Sequence, residues 1–245
     1  MRTPAELGFD YEDVALRAAD GTALHAWLVR PEGEPVGRVL FLHGNAQNVS
    51  HHLPAALWWV AEGHELLALD YRGYGRSAGE PSVDGAVADV LAGVELLAGR
   101  GAGDALPLYV FGQSLGASLA ALALGGDAGA RETVDALVLE AGFADFARVG
   151  GEFAAGNAIT WPFQWIPRLT LAHLADPVDA IAAVDLPIVV VHSPEDRIVG
   201  IHHGRELLAA ASGPKRFVEA SGPHIAAMAD PAVREAVLGF VRARR

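Results

Sequence analysis

A chain of 245 residues with 30 acidic and 18 basic side chains carries a formal charge of −12. That balance excludes the basic stripe of a nucleic-acid binder, since the basic residues are scattered and the densest local group is the tail Arg242, Arg244 and Arg245. The absence of cysteine removes disulfide scaffolds, thiolate metal sites and cysteine nucleophiles.

Although 51% of the residues are hydrophobic, no apolar run reaches the roughly 18 residues of a spanning helix. The opening MRTPAELGFDYEDV lacks the basic-then-apolar pattern of a signal peptide. A soluble, cytoplasmic protein with a single domain over 1–245 is the expectation, large enough to bury about 70% of its unfolded surface.

Along the chain, Val14–Ala18 and Thr22–Val29 read as strands joined by Asp20-Gly21, a hairpin signal. Short apolar runs at Val39–Leu42 and Leu66–Leu69 read as strands on either side of a helix at Leu53–Ala61. Helical spacing follows over Val83–Leu97, with Ser82 as N-cap. A strand at Leu108–Phe111, a helix over Leu115–Leu124 and a strand at Ala136–Leu139 come next. The last third gives strands at Ile188–Val191 and Arg216–Glu219, and helices at Ile201–Ala211 and Pro231–Val241. Strands alternating with helices imply an α/β fold, its mostly parallel sheet covered on both faces. From about 144 to 185 the alternation stops, and the segment reads as a small helical cap inserted over the C-terminal edge of the sheet.

Two stretches match Gly-x-Ser-x-Gly. Gly75-Arg76-Ser77-Ala78-Gly79 runs into Glu80-Pro81, with no helix behind it, whereas Gly112-Gln113-Ser114-Leu115-Gly116 follows a strand and opens a helix. Only the second has the strand–turn–helix setting that lifts a serine hydroxyl above a sheet edge, so Ser114 is the expected nucleophile. A general base must follow an acid in the order serine, acid, histidine. The loop after Ile188–Val191 offers Glu195 and Asp196, and the loop after Arg216–Glu219 ends in His224, the expected base. The oxyanion hole is expected from the backbone N–H groups of Leu115 and Asn45.

FLHGNAQN, LDYRGYGRSAGEPS, VFGQSLGAS and HSPEDRIV, in this order, are similar to the α/β-hydrolase superfamily. They resemble in particular its "alpha/beta hydrolase domain-containing" branch of lipid hydrolases, depalmitoylases and bacterial relatives. The resemblance implies an eight-stranded, mostly parallel sheet and a Ser-His-Asp triad. It selects Asp196 as the acid, because the family pattern places aspartate two residues before the pair Ile198-Val199. Departures are Ala117 for a common glycine, Gly200 for a common proline, and Pro223-His224-Ile225 for a Gly-His-Asn/Asp ending.

The reaction expected is cleavage of a carboxylic ester or thioester of a modest apolar acyl substrate through an acyl-enzyme. No cofactor is needed, and the partner is a small molecule. Trp161, Phe163 and Trp165 of the cap, with Tyr74, are the candidate substrate wall. His43 reads as a brace for the oxyanion loop. Asp145 is the competing acid, since some hydrolases take theirs after the preceding strand. His51-His52 and His202-His203 lack the i, i+4 spacing that sets two metal ligands on one helix face, so no metal is expected. The rival readings are an aminopeptidase-like amidase, which needs an acidic pair to grip a free amine, and a receptor that uses the pocket without turnover. A dehalogenase or epoxide hydrolase is excluded by serine, not a carboxylate, at position 114.

Overall fold

The computed structural model describes residues 2–100, 106–156 and 163–243. β1 (Tyr11–Arg17) and β2 (Ala23–Val29) form the antiparallel hairpin, Leu16 facing Leu24, around a turn in which Gly21 takes φ 86° and Asp20 accepts from the Thr22 N–H at 3.0 Å. Six further strands follow: β3 (Gly37–Leu42), β4 (His64–Asp70), β5 (Leu108–Gln113), β6 (Ala136–Glu140), β7 (Ile188–His192) and β8 (Lys215–Glu219). The order across the sheet is β1-β2-β4-β3-β5-β6-β7-β8. β2 pairs antiparallel with β4 and every later pairing is parallel.

In chain order the helices are α1 (Val49–His52), α2 (Leu57–Ala61), α3 (Val83–Arg100), α4 (Leu115–Gly126), α5 (Ala128–Thr133), α6 (Phe146–Ala155), α7 (Trp165–Thr170), α8 (Pro177–Ile181), α9 (Ile201–Ala210) and α10 (Pro231–Arg242). α3, α4, α8 and α9 cover one face of the sheet, with Leu40, Leu42, Val110 and Leu137 turned towards them. α1, α2 and α10 cover the other, against Val39, Phe41, Tyr109 and Phe111. Because both faces are buried, β3 and β5 carry apolar residues at consecutive positions instead of alternating with polar ones.

One local expectation needs correction, and one helix lies outside every expectation. The helix read over Leu53–Ala61 is a 3-10 turn at Leu53–Ala55 followed by α2, with α1 preceding it, because Pro54 has no N–H to continue an α-helical ladder. α5 has no counterpart in the periodicity; it is a short helix started by Asp127, whose carboxylate accepts from the Ala130 N–H at 2.8 Å. Between β6 and β7 the described residues form α6, α7 and α8 and no strand. α6 is joined to the body by a small apolar cluster of Leu122, Phe143, Phe146 and Val199.

The consequence for function is positional. β5 is central, and β5, β6, β7 and β8 all point the same way. Their C-terminal ends therefore bring Ser114, Glu140, His192 and the loop after Glu219 to one edge.

Candidate active site

Ser114 stands between β5 and α4 with φ 51° and ψ −114°, a conformation that side chains other than glycine rarely adopt. Its neighbours make the turn possible. A Cβ on Gly116 would overlap the Leu42 carbonyl oxygen of β3, and one on Gly112 would run into the Gly116 carbonyl. The Ser114 N–H donates to the Glu140 carbonyl at 2.8 Å, which ties the turn to β6.

Three elements converge on this hydroxyl. His224 Nε2 lies 2.9 Å from Ser114 Oγ, and His224 Nδ1 lies 2.6 Å from Asp196 Oδ2. Since an ionised carboxylate only accepts, Nδ1 carries the proton and Nε2 offers its lone pair to the serine O–H. The Asp196 side chain is 1% exposed, and its other oxygen accepts from the Ile198 and Val199 N–H groups at 2.9 and 3.0 Å. Burial alone would raise its pKa, but the hydrogen bonds from His224 and these amides outweigh burial and hold the carboxyl below its ordinary value.

Asp145, the competing acid, instead caps α6 by accepting from the Arg148 N–H at 2.7 Å.

Leu115 is the first residue of α4, so its N–H has no partner within the helix and sits at the positive end of the helix dipole. Asn45 lies in the loop after β3, where Ala46 and Gln47 take positive φ of 67° and 59°. The YRGYGRS loop holds that segment in shape. Tyr71 donates to the His43 carbonyl at 3.0 Å, Tyr74 donates to Asn45 Oδ1 at 2.7 Å, and buried Asp70 accepts from the Val49 N–H at 2.9 Å. Ser77, the serine of the second Gly-x-Ser-x-Gly, donates to the Asp70 carbonyl at 2.6 Å and accepts from the His25 N–H. Arg72 turns inward, with its guanidinium on Asp89 of α3 at 2.7 Å and on Asp20 at 2.8 Å. His43 is fully buried and donates to the Gly44 carbonyl at 2.7 Å; burial pushes its pKa down to about 4, so the ring is neutral.

Two hollows are lined by residues that adjoin Ser114 in sequence or bond to it, although Ser114 itself lines neither. On the Leu115 side, a cavity of about 190 Å³ is lined by Tyr71, Tyr74, Val83, Ala86, Leu115 and Leu119, among others. On the His224 side, an open groove of about 690 Å³ is lined by Pro194, Glu195, Arg197, Ile198, Pro223 and His224. Phe163 and Trp165 line neither and are each 55% exposed, while Trp161 lies outside the described residues.

Sequence spacing could not reveal that α6 and α9 bring Glu152, His202 and His203 within 4.8 Å of one another. The hydrogen bonds there do not form a metal-ligand set. His203 Nδ1 accepts from the Ala144 N–H at 3.2 Å and faces the Arg148 guanidinium at 3.3 Å, so the proton sits on Nε2 and is donated to Glu152 at 3.2 Å. With Arg148 paired to Glu206, the cluster clasps α6 to α9.

The family model Hydrolase_4, described as serine aminopeptidase, S33, matches residues 33–178. The chain is 32% identical to the alpha/beta hydrolase domain-containing protein WAV2 of Arabidopsis thaliana, over 91% of this chain and 75% of that protein. It is 27% identical to the uncharacterized protein YfhR of Escherichia coli K12, over 94% of this chain and 80% of the relative. Among solved structures, the Pyrococcus furiosus esterase Pf2001 superposes with a TM-score of 0.82 at 20% identity, covering 99% of this chain and 94% of the other. With a family match over more than half its length and a relative of this identity, the chain belongs to the α/β-hydrolase superfamily, in the family Hydrolase_4 (serine aminopeptidase, S33).

Proposed function

We propose that the protein is a serine ester hydrolase acting on a carboxylic ester or thioester of a modest apolar acid. One observation carries the reading: a serine hydroxyl in a strained turn, 2.9 Å from a histidine whose other nitrogen is held at 2.6 Å by a buried carboxylate. Ser114 Oγ attacks the acyl carbon as His224 takes its proton, and Asp196 holds the imidazole in the productive tautomer and stabilises its charge. The Leu115 and Asn45 amides receive the developing oxyanion. The departing alcohol or thiol takes the proton from His224, and water then releases the acid by the same steps in reverse order.

The direction of proton delivery assigns the two hollows. A leaving group must depart past His224 Nε2, which puts it in the groove with Glu195 and Arg197. The acyl chain then lies on the Leu115 and Tyr74 side, in the smaller, largely apolar cavity. An amidase that grips a free amine needs paired carboxylates. The groove offers Glu195 alone, with Arg197 beside it, so the ester reading is favoured.

The test is intact mass after exposure to a fluorophosphonate, for wild type and Ser114→Ala in parallel. One adduct on the wild type and none on the variant is expected. A folded wild type that stays unlabelled would remove Ser114 as an activated nucleophile, and the non-catalytic receptor would become the better reading.

A further inference from the structure

Glu140 ends β6 one strand away from the nucleophile, and it is 1% exposed. Its two oxygens face opposite sides of the site. Oε2 accepts from the Gln113 side-chain amide at 2.7 Å, and Gln113 immediately precedes Ser114. Oε1 accepts from the Ala227 N–H at 2.8 Å, three residues after His224. Its backbone carbonyl takes the Ser114 N–H. The segment it grips is strained, because Ile225, next to the base, has φ 53°, a region that β-branched residues avoid.

We propose that Glu140 is a positioning residue that locks the loop bearing His224 to the strand bearing Ser114, holding the strained backbone at Ile225 so that Nε2 stays in line with Oγ. The proposal rests on the serine-hydrolase reading. A purely structural role fits the chemistry less well. Burial raises the Glu140 pKa despite the hydrogen bonds from Gln113 and the Ala227 and Met228 amides, so carrying the ionised group costs the fold stability instead of adding to it. Only a carboxylate presents two acceptor oxygens, one to each side; an amide must give up one contact or force Gln113 to turn over.

Glu140→Gln should therefore separate rate from stability. Fluorophosphonate labelling of Ser114 and kcat for a soluble ester are expected to fall roughly 10- to 100-fold with KM little changed. The melting midpoint should stay within about 3 °C of wild type. Amide exchange should quicken in the peptide spanning Ile225–Met228. Relaxing the strain with Ile225→Asn in the Glu140→Gln background should recover part of the lost rate, and that double variant also serves if the single one folds poorly. Labelling at the wild-type rate would overturn the proposal and leave the serine-hydrolase reading intact. Rate and melting midpoint falling together, with no recovery by Ile225→Asn, would reduce Glu140 to a packing role and also overturn it. An unlabelled wild type would end both.

Discussion

Asp196 illustrates how much one atom type decides. Its Oδ2 accepts from His224 Nδ1, and its Oδ1 is occupied by two backbone amides. Asp196→Asn keeps the shape, but the amides fix the side-chain oxygen towards the backbone and turn an NH₂ towards the ring. The imidazole proton must then move to Nε2, where it meets the Ser114 O–H in place of a lone pair. Under the proposed mechanism kcat falls about 10⁴-fold while the fold persists, as when the same exchange is made in other triads. A steady-state ester assay beside a melting curve checks both halves, and a loss under tenfold would count against the assigned acid. The choice of Asp196 over Glu195 came from a family pattern, and in the structure it is the Asp196 carboxylate that lies 2.6 Å from His224 Nδ1. The odd ending Pro223-His224-Ile225 was visible in the sequence too, but its meaning was not. Asn or Asp at the third place accommodates a left-handed backbone, and Ile225 adopts that backbone without their tolerance.

At the scale of elements, the sheet strands were legible because burial on both faces writes itself as consecutive apolar residues, and α3 because its apolar positions recur at helical spacing. Pairings between distant segments were not legible. Nothing in the spacing places Glu140 of β6 beside Gln113 and Ala227, or Glu152 beside His202 and His203, because those meetings depend on strand register and helix docking. The proposed acyl pocket is of the same kind. The sequence drew attention to the aromatic run of the β6–β7 segment, while the cavity beside Leu115 is walled by α3, α4 and the YRGYGRS loop. The two locations make opposite forecasts. Ala86→Phe places a ring in a cavity of about 190 Å³ and should lower kcat/KM for hexanoyl esters at least tenfold more than for acetyl esters. Trp165→Ala, at a side chain 55% exposed, should alter that ratio less than twofold. The reverse pattern in a chain-length series would move the acyl site to the aromatic segment.

Across the whole molecule, histidines with lowered pKa dominate the expected response to acid. Burial lowers the pKa of His43 to about 4 and also lowers those of His52, His192 and His203. A histidine whose folded pKa lies below its unfolded value near 6.5 gives stability that is fully present above about 6.5 and is lost as the pH falls towards the folded value. For His43 the window runs from about 6.5 down to about 4, worth on the order of 3 kcal/mol over its full width. Asp196 has the same sign at lower pH, its contribution disappearing only as the medium falls below the ordinary carboxylate range, whereas Glu140 has the opposite sign, because its raised pKa makes the fold relatively more stable once it is protonated. These histidines outnumber His25, whose pKa the Asp70 and Asp13 carboxylates raise despite burial and which therefore favours the fold in acid, so the melting midpoint should drop by at least about 4 °C between pH 7 and pH 5. His43→Gln should flatten that slope even if it lowers the midpoint at pH 7, since glutamine does not titrate. The outcome also separates two causes of acid inactivation. Protonation of a catalytic base is reversed within the assay on return to pH 7, with no change in near-ultraviolet circular dichroism. Charging His43 instead breaks the packing beneath the loop after β3, where its ring lies tilted against Tyr71 with centroids 4.6 Å apart, and the loss of near-ultraviolet signal should then track the loss of rate. A midpoint that is flat from pH 7 to pH 5 would count against a neutral His43 ring sealed beneath the site.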